Sequence, residues 1–259
     1  MSEEKLNKII SQTDNYIQNF NRFYSDSLYI ECSHKDLSEE TKQLKTGNLK
    51  KEAVKEVDLF GNETIKMEEW EFAESLDELN SMICSCQKCA LGATRTNFVF
   101  GVGDPNADIV VIGEAPGADE DAQGEPFVGR AGQLLNKILE ATGFKREEVY
   151  ICNILKSRPP GNRNPLPEEI EACKPYLDKQ LKLINPKLIL ILGRVAAESL
   201  LKTREPLNKL RGKIHNYKEW KVMVTFHPAA LLRNPHWKRP TWEDMLQFKE
   251  LYNQMTASK

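Results

Sequence analysis

Ile109-Val-Val-Ile112 is the stretch that most narrows what this chain can become. An unbroken β-branched run suits a strand buried on both faces, as in the middle of a parallel sheet. It stops at Gly113-Glu114-Ala115-Pro116-Gly117, and an acidic, glycine-containing loop follows. Beyond that loop Leu134, Leu135, Ile138 and Leu139 recur at helical spacing. A buried strand thus carries a carboxylate, Glu114, to the carboxyl end of a strand, where open α/β sheets keep their ligands.

The same rhythm repeats downstream. Val149 to Ile154 reads as a strand and Pro167 to Ile184 as a helix. Lys187 to Leu192 is a second fully buried strand, followed by a helix from about Val195 to Leu201. Val222 to Phe226 is another strand, and a last helix covers about Trp242 to Met255. Strands alternating with helices over short links predict a three-layer α/β sandwich, a central four-stranded parallel sheet with helices on both faces. Arg95 to Asp108 adds a possible strand and a turn ahead of the central strand; Gly101-Val-Gly103 there precedes a strand instead of opening a helix, so it is no dinucleotide fingerprint.

This domain is assigned to residues 76–259, and residues 1–75 to a polar N-terminal extension. Apolar residues from Ile9 to Phe23 recur at roughly helical intervals, and 33–58 has the composition of a disordered linker. The extension reads as an accessory arm, with a partner of unknown kind as the lesser alternative. The formal net charge of -2 advertises no global field for nucleic acid, although local basic loops can still serve. With no long apolar run and no charged-then-apolar start, neither a membrane span nor a signal peptide is expected, and the compartment is expected to be the cytoplasm. In a reducing compartment clustered cysteines suggest metal or redox chemistry, and Cys84, Cys86 and Cys89 are such a cluster, with Cys152 and Cys173 further on.

Set side by side, the four strand ends present Glu114, Asn153, Gly193 and His227. Singly, each polar residue has a bland reading as a cap or a loop bridge; together on one rim of a parallel sheet they predict a ligand site. Two basic loops flank the rim. One carries Lys156, Arg158 and Arg163 on a proline-stiffened loop; the other combines Leu231 and Leu232 with Arg233. Cations contact phosphates, and apolar wedges enter a base stack. The alternative for the leucines is the start of a helix packed on the core.

Gly113-Glu-Ala-Pro-Gly117 with Pro126-Phe-Val-Gly-Arg-Ala-Gly132, Asn153-Ile-Leu-Lys-Ser-Arg-Pro-Pro160 and His227-Pro-Ala-Ala-Leu-Leu-Arg-Asn-Pro235 resemble the motifs of the family 4, iron–sulfur uracil-DNA glycosylases, in the family's order. The similarity runs from about Leu79 to Leu251. It implies a monomer acting on uracil-containing DNA: the base is flipped out, its N-glycosidic bond hydrolysed and an abasic site left. It implies Phe127 stacking on the base, Asn153 reading its Watson–Crick edge, and groups around Ala115 and Glu120 shaping the pocket. Glu114 and His227 would form the catalytic pair. It also implies a structural [4Fe–4S] cluster on Cys86, Cys89 and Cys173. Here the chain departs from the pattern, because Ser157 stands where the third family cysteine belongs. The fourth ligand is open between Cys84 and Ser157. Cys152 is a poorer substitute, since its side chain should point away from Asn153's face. Free thiols or a zinc site are the alternatives. Two rival functions stand beside the main one: a superfamily member acting on another deaminated base, and a non-catalytic DNA-binding or iron–sulfur scaffold.

Overall fold

The computed structural model describes residues 68–257. The helix expected in the N-terminal extension lies outside the described residues.

Six strands form one sheet in the order β1-β3-β2-β4-β6-β5: β1 Val102–Gly103, β2 Ile109–Gly113, β3 Tyr150–Asn153, β4 Leu188–Leu192, β5 Ile214–Tyr217 and β6 Trp220–Thr225. The four expected strands make its parallel centre, and β1 and β5 are added antiparallel at the edges. The four-stranded expectation therefore holds for the centre and misses β5. That strand alternates exposed residues with the half-buried His215 and the buried Tyr217, and so lacks the apolar run that marks the others.

Period-two alternation divides the core. Val110 and Ile112 of β2, with Ile189, Ile191, Val222 and Val224, face a layer that includes Leu79, Tyr176, Leu181 and Leu200. These come from α1 (Leu76–Ile83), α4 (Pro167–Ile184) and α5 (Arg194–Leu201). Ile109 and Val111, with Ile151, Leu188, Leu190 and Met223, face Leu135, Ile138, Met245 and Phe248. Those belong to α3 (Arg130–Ala141) and α8 (Lys238–Ala257). Both faces of the central strands are covered, as their near-continuous apolar sequences demand. Short helices α2 (Ala118–Gln123), α6 (Leu207–Leu210) and α7 (Pro228–Arg233) lie in the connections.

The folded body begins before residue 76. A 3-10 turn at Glu69–Phe72 sets Trp70 edge-on to Tyr176, ring centroids 4.8 Å apart, and Ala73 is buried in the core. Among the described residues no helix is long and apolar enough to cross a membrane.

Chain order fixes where a ligand can sit. From β2 the chain steps to β3 on one side, then crosses back over β2 to β4 on the other. The reversal opens a crevice between the carboxyl ends of β2 and β4, the switch point where such sheets bind ligands.

Candidate active site at the strand ends

A cavity of about 650 Å³ opens at that crevice, lined among others by Glu114, Phe127, Asn153, Arg194 and His227. Its floor begins with a glycine. Gly113 pairs with Asn153 across β2 and β3, and a Cβ at 113 would lie 2.7 Å from the Phe127 ring and overlap Asn153 Oδ1. Only the missing side chain lets the amide and the aromatic ring meet there. Gly193 does the same at the end of β4, where a Cβ would stand 2.9 Å from that of His227.

Phe127 has a left-handed backbone, φ 55°, which an aromatic residue adopts only when its surroundings impose it. Two devices impose it here. Glu120 accepts hydrogen bonds from Val128 N (3.1 Å) and Gly129 N (3.2 Å) through one carboxylate oxygen and from Gly117 N (3.0 Å) through the other. Gly132, opening α3, has no Cβ, and one would strike the Phe127 main chain, 2.8 Å from its Cα. The Phe127 ring ends up stacked on His227, centroids 5.5 Å apart and planes 30° from parallel.

His227 caps α7. Its Nδ1 accepts from Ala229 N–H at 3.2 Å, which leaves the ring proton on Nε2. Burial, and secondarily the Arg233 cation, pulls the imidazole from 6.5 down to about 4, so it is neutral at physiological pH. The site therefore holds an uncharged N–H donor of fixed tautomer. Burial pushes the Glu114 carboxyl above its usual range, while Arg194, which lines the same cavity, opposes the rise. Asn153 is buried, and its Oδ1 has no hydrogen-bond partner among the described residues. An orphaned buried acceptor costs about 1–3 kcal/mol, a penalty that a ligand donor would remove.

Of the other expected site residues, Ala115, Glu120, Arg163 and Arg233 line the cavity, and Lys156, Arg158, Leu231 and Leu232 do not. Lys156 is fully buried, its Nζ donating to Asn153 O (2.8 Å) and Gln180 Oε1 (2.6 Å), so it cannot reach a phosphate. Leu231 packs in the core under α7, while Leu232 is 40% exposed. The Glu120 carboxylate is consumed by loop N–H groups, so its part is to shape the wall. Ala115, also in the wall, sits beside the Cys89–Cys173 cluster. Arg158 bonds Asn162 Oδ1 at 2.8 Å, Arg163 forks onto Glu169 (2.9 and 2.6 Å), and Arg233 is exposed at the rim. Arg194 was missed by sequence reasoning, though its place directly after Gly193, on the same rim, was a usable signal.

The cysteine end lies behind the loop after β3. Cys173 is buried with Leu91 and Leu155, Cys89 packs against it, and Cys86 Sγ lies 3.3 Å from Tyr176 Oη. Burial raises the Cys173 thiol to about 11. Cys84 is exposed, its Sγ directed at Ser81 O (3.5 Å), and Cys152 is buried in the core beneath the sheet. Ser157 is buried and its Oγ accepts from Arg95 Nη1 at 3.2 Å. Among the described residues, no group of three or more His, Cys, Asp or Glu side chains is gathered so that it could hold a metal ion. A [4Fe–4S] group asks for four thiolates. Three thiols, with a cation-bonded hydroxyl at the fourth position, do not fit it.

Comparison with known proteins agrees with the geometry. The family model of the uracil DNA glycosylase superfamily matches residues 100–247, which hold every strand end described above. The type-4 uracil-DNA glycosylase of Archaeoglobus fulgidus is 46% identical over 186 residues, 69% of this chain and 94% of that protein. That of Sulfurisphaera tokodaii is 43% identical over 187 residues, 69% of this chain and 85% of that protein. A type-5 uracil-DNA glycosylase of Thermus thermophilus is more distant, 35% identical over 118 residues, 40% of this chain and 53% of that protein. The chain belongs to the uracil DNA glycosylase superfamily, on its type-4 branch.

Proposed function

We propose that this protein removes uracil from DNA by hydrolysing the N-glycosidic bond of deoxyuridine, and that the orphaned Oδ1 of Asn153 is the group that recognises the base. Uracil offers an N3–H donor beside an O4 acceptor, which complements a side-chain amide. Cytosine has no hydrogen on N3 and carries a donor where uracil has O4, so it leaves the buried acceptor unsatisfied. Flipping the nucleotide from the duplex costs a few kcal/mol, and stacking on Phe127 in a closed pocket offsets it.

As the bond to C1′ breaks, its electron pair moves onto the pyrimidine and positive charge develops on the sugar. The neutral Nε2–H of His227 donates to the uracil O2 that gains charge, an electrostatic contribution of about 3 kcal/mol for one good donor. Glu114 faces the sugar, stabilises the cation and orients the water that adds to C1′. The water's proton leaves with uracil. Arg163 and Arg233 border the cavity and, with Arg158 on the same loop as Arg163, take the DNA backbone, and Leu232 is an exposed apolar side chain that can fill the vacated stack.

The deciding experiment is excision from a uracil-containing oligonucleotide, single- and double-stranded, by the wild-type protein and Asn153→Asp. Uracil release by the wild type, with preference moved towards cytosine in Asn153→Asp, is expected. Absence of excision by the wild type returns the chain to the scaffold reading.

A further inference from the structure

One guanidinium holds the cysteine end together. Arg95 donates from Nη1 to Cys86 O (2.7 Å) and Ser157 Oγ (3.2 Å), and from Nη2 to Cys84 O (2.9 Å). It thereby bridges the turn that carries the paired cysteines and the loop that follows β3. The arginine is itself held. Its N–H donates to Leu91 O at 3.1 Å, its guanidinium lies 5.1 Å from the Phe98 ring centroid, and the next residue, Thr96, donates to buried Asp121 at 2.9 Å. A planar fork with several donors in fixed directions is suited to collecting acceptors from two segments at once.

A metal group at such a junction would do the same mechanical job by drawing ligands from both segments onto one centre. It would need four deprotonated donors converging. Here the candidate from the second loop is the Ser157 hydroxyl, already engaged by a cation. The thiols on the first segment have other neighbours: Cys86 Sγ has Tyr176 Oη, and Cys84 Sγ points to Ser81 O.

We propose that Arg95 replaces a metal group at this junction, so that the chain pins its 84–89 turn to the loop after β3 without iron, sulfide or zinc. The replacement concerns how the domain is held together and stands apart from which base is excised. The serine at 157 and the arginine at 95 then form one unit: a hydroxyl accepts where a thiolate would have bound metal.

The test uses the full chain purified under argon, with iron, acid-labile sulfide and zinc quantified and the visible spectrum recorded. Melting is then followed before and after exhaustive chelation with reductant present, and for Arg95→Met and Arg95→Lys. The expected result is no stoichiometric metal or sulfide, no change in Tm on chelation, and a Tm lowered by about 2–4 °C or more in Arg95→Met. Should Arg95→Met fail to fold, Arg95→Lys, which keeps the charge but cannot span all three acceptors, is expected to melt below the wild type. Stoichiometric iron and sulfide, stoichiometric zinc, a chelator-induced fall in Tm, or wild-type melting of both Arg95 variants would each overturn the proposal.

Discussion

Acidification tests the state of His227 directly. In the unfolded chain an imidazole titrates near 6.5; in the folded protein burial and Arg233 bring it to about 4. Between those values the unfolded state binds a proton that the folded state refuses, so stability falls as pH drops from about 6.5 towards 4. The gap corresponds to about 3 kcal/mol when fully expressed. Protonation would also place a hydrogen on Nδ1, where the Ala229 N–H now donates, and so remove the cap of α7. Denaturant unfolding at intervals from pH 7 to 4.5, for wild type and His227→Gln, isolates this contribution. Asp244, raised to about 6 by burial against its bonds to Thr225 and Arg211, titrates in the opposite sense and cancels in the subtraction. The variant is expected to lose less stability than the wild type over this range. A ring NMR titration should place the His227 midpoint near 4, well below 6.5. Equal pH dependence in the two proteins, or a His227 midpoint near 6.5, would refute the neutral-donor argument.

Five other substitutions carry sharp expectations. Glu114→Gln is expected to lower kcat/KM by about 10²–10⁴. The acidic limb of the wild-type kcat/KM profile should lie above the ordinary carboxylate range, and Arg194→Gln, by removing the opposing cation, should move it higher still. Gly113→Ala sets a methyl group against Asn153 and 2.7 Å from the Phe127 ring; overpacking of this kind costs about 1–3 kcal/mol, and the displaced ring and amide should reduce kcat/KM more than Tm predicts. Lys156→Met strands Gln180 Oε1 and Asn153 O, so Tm should fall, while the salt dependence of DNA binding stays at the wild-type slope. Arg233→Gln, by contrast, should reduce that slope by about 1.

The parallel centre was legible because Ile109–Ile112 and Leu188–Leu192 are apolar on both faces, a pattern with few alternatives. The α4 boundaries were legible too, since Pro167 opens the helix and Asn185 closes it in a left-handed turn. What the sequence hides is direction. Lys156, Arg158 and Arg163 read alike as cations on one loop, yet Lys156 turns inward to Gln180, twenty-four residues away in the chain. Leu231 and Leu232 are likewise adjacent and identical in type, and the turn of α7 sends one to the core and the other to solvent. Long-range partners decide such cases, and no local pattern encodes them.

The same reasoning explains why the strand ends form a site at all. Glu114, Asn153 and His227 are brought to one rim by sheet topology, but topology does not bring them close. Gly113 and Gly193 do, by removing the side chains that would hold Asn153, Phe127 and His227 apart. Phe127 reaches its place only through a strained φ that the Glu120 carboxylate and Gly132 enforce. The acidic loop after β2 is thus a clamp that spends its charge on main-chain N–H groups, leaving Glu114 as the carboxylate free for chemistry. Neutralising Glu120 should accordingly impair base stacking before it impairs bond cleavage, because two of its three hydrogen bonds end on Val128 and Gly129, directly after Phe127, and the third on Gly117 at the head of α2.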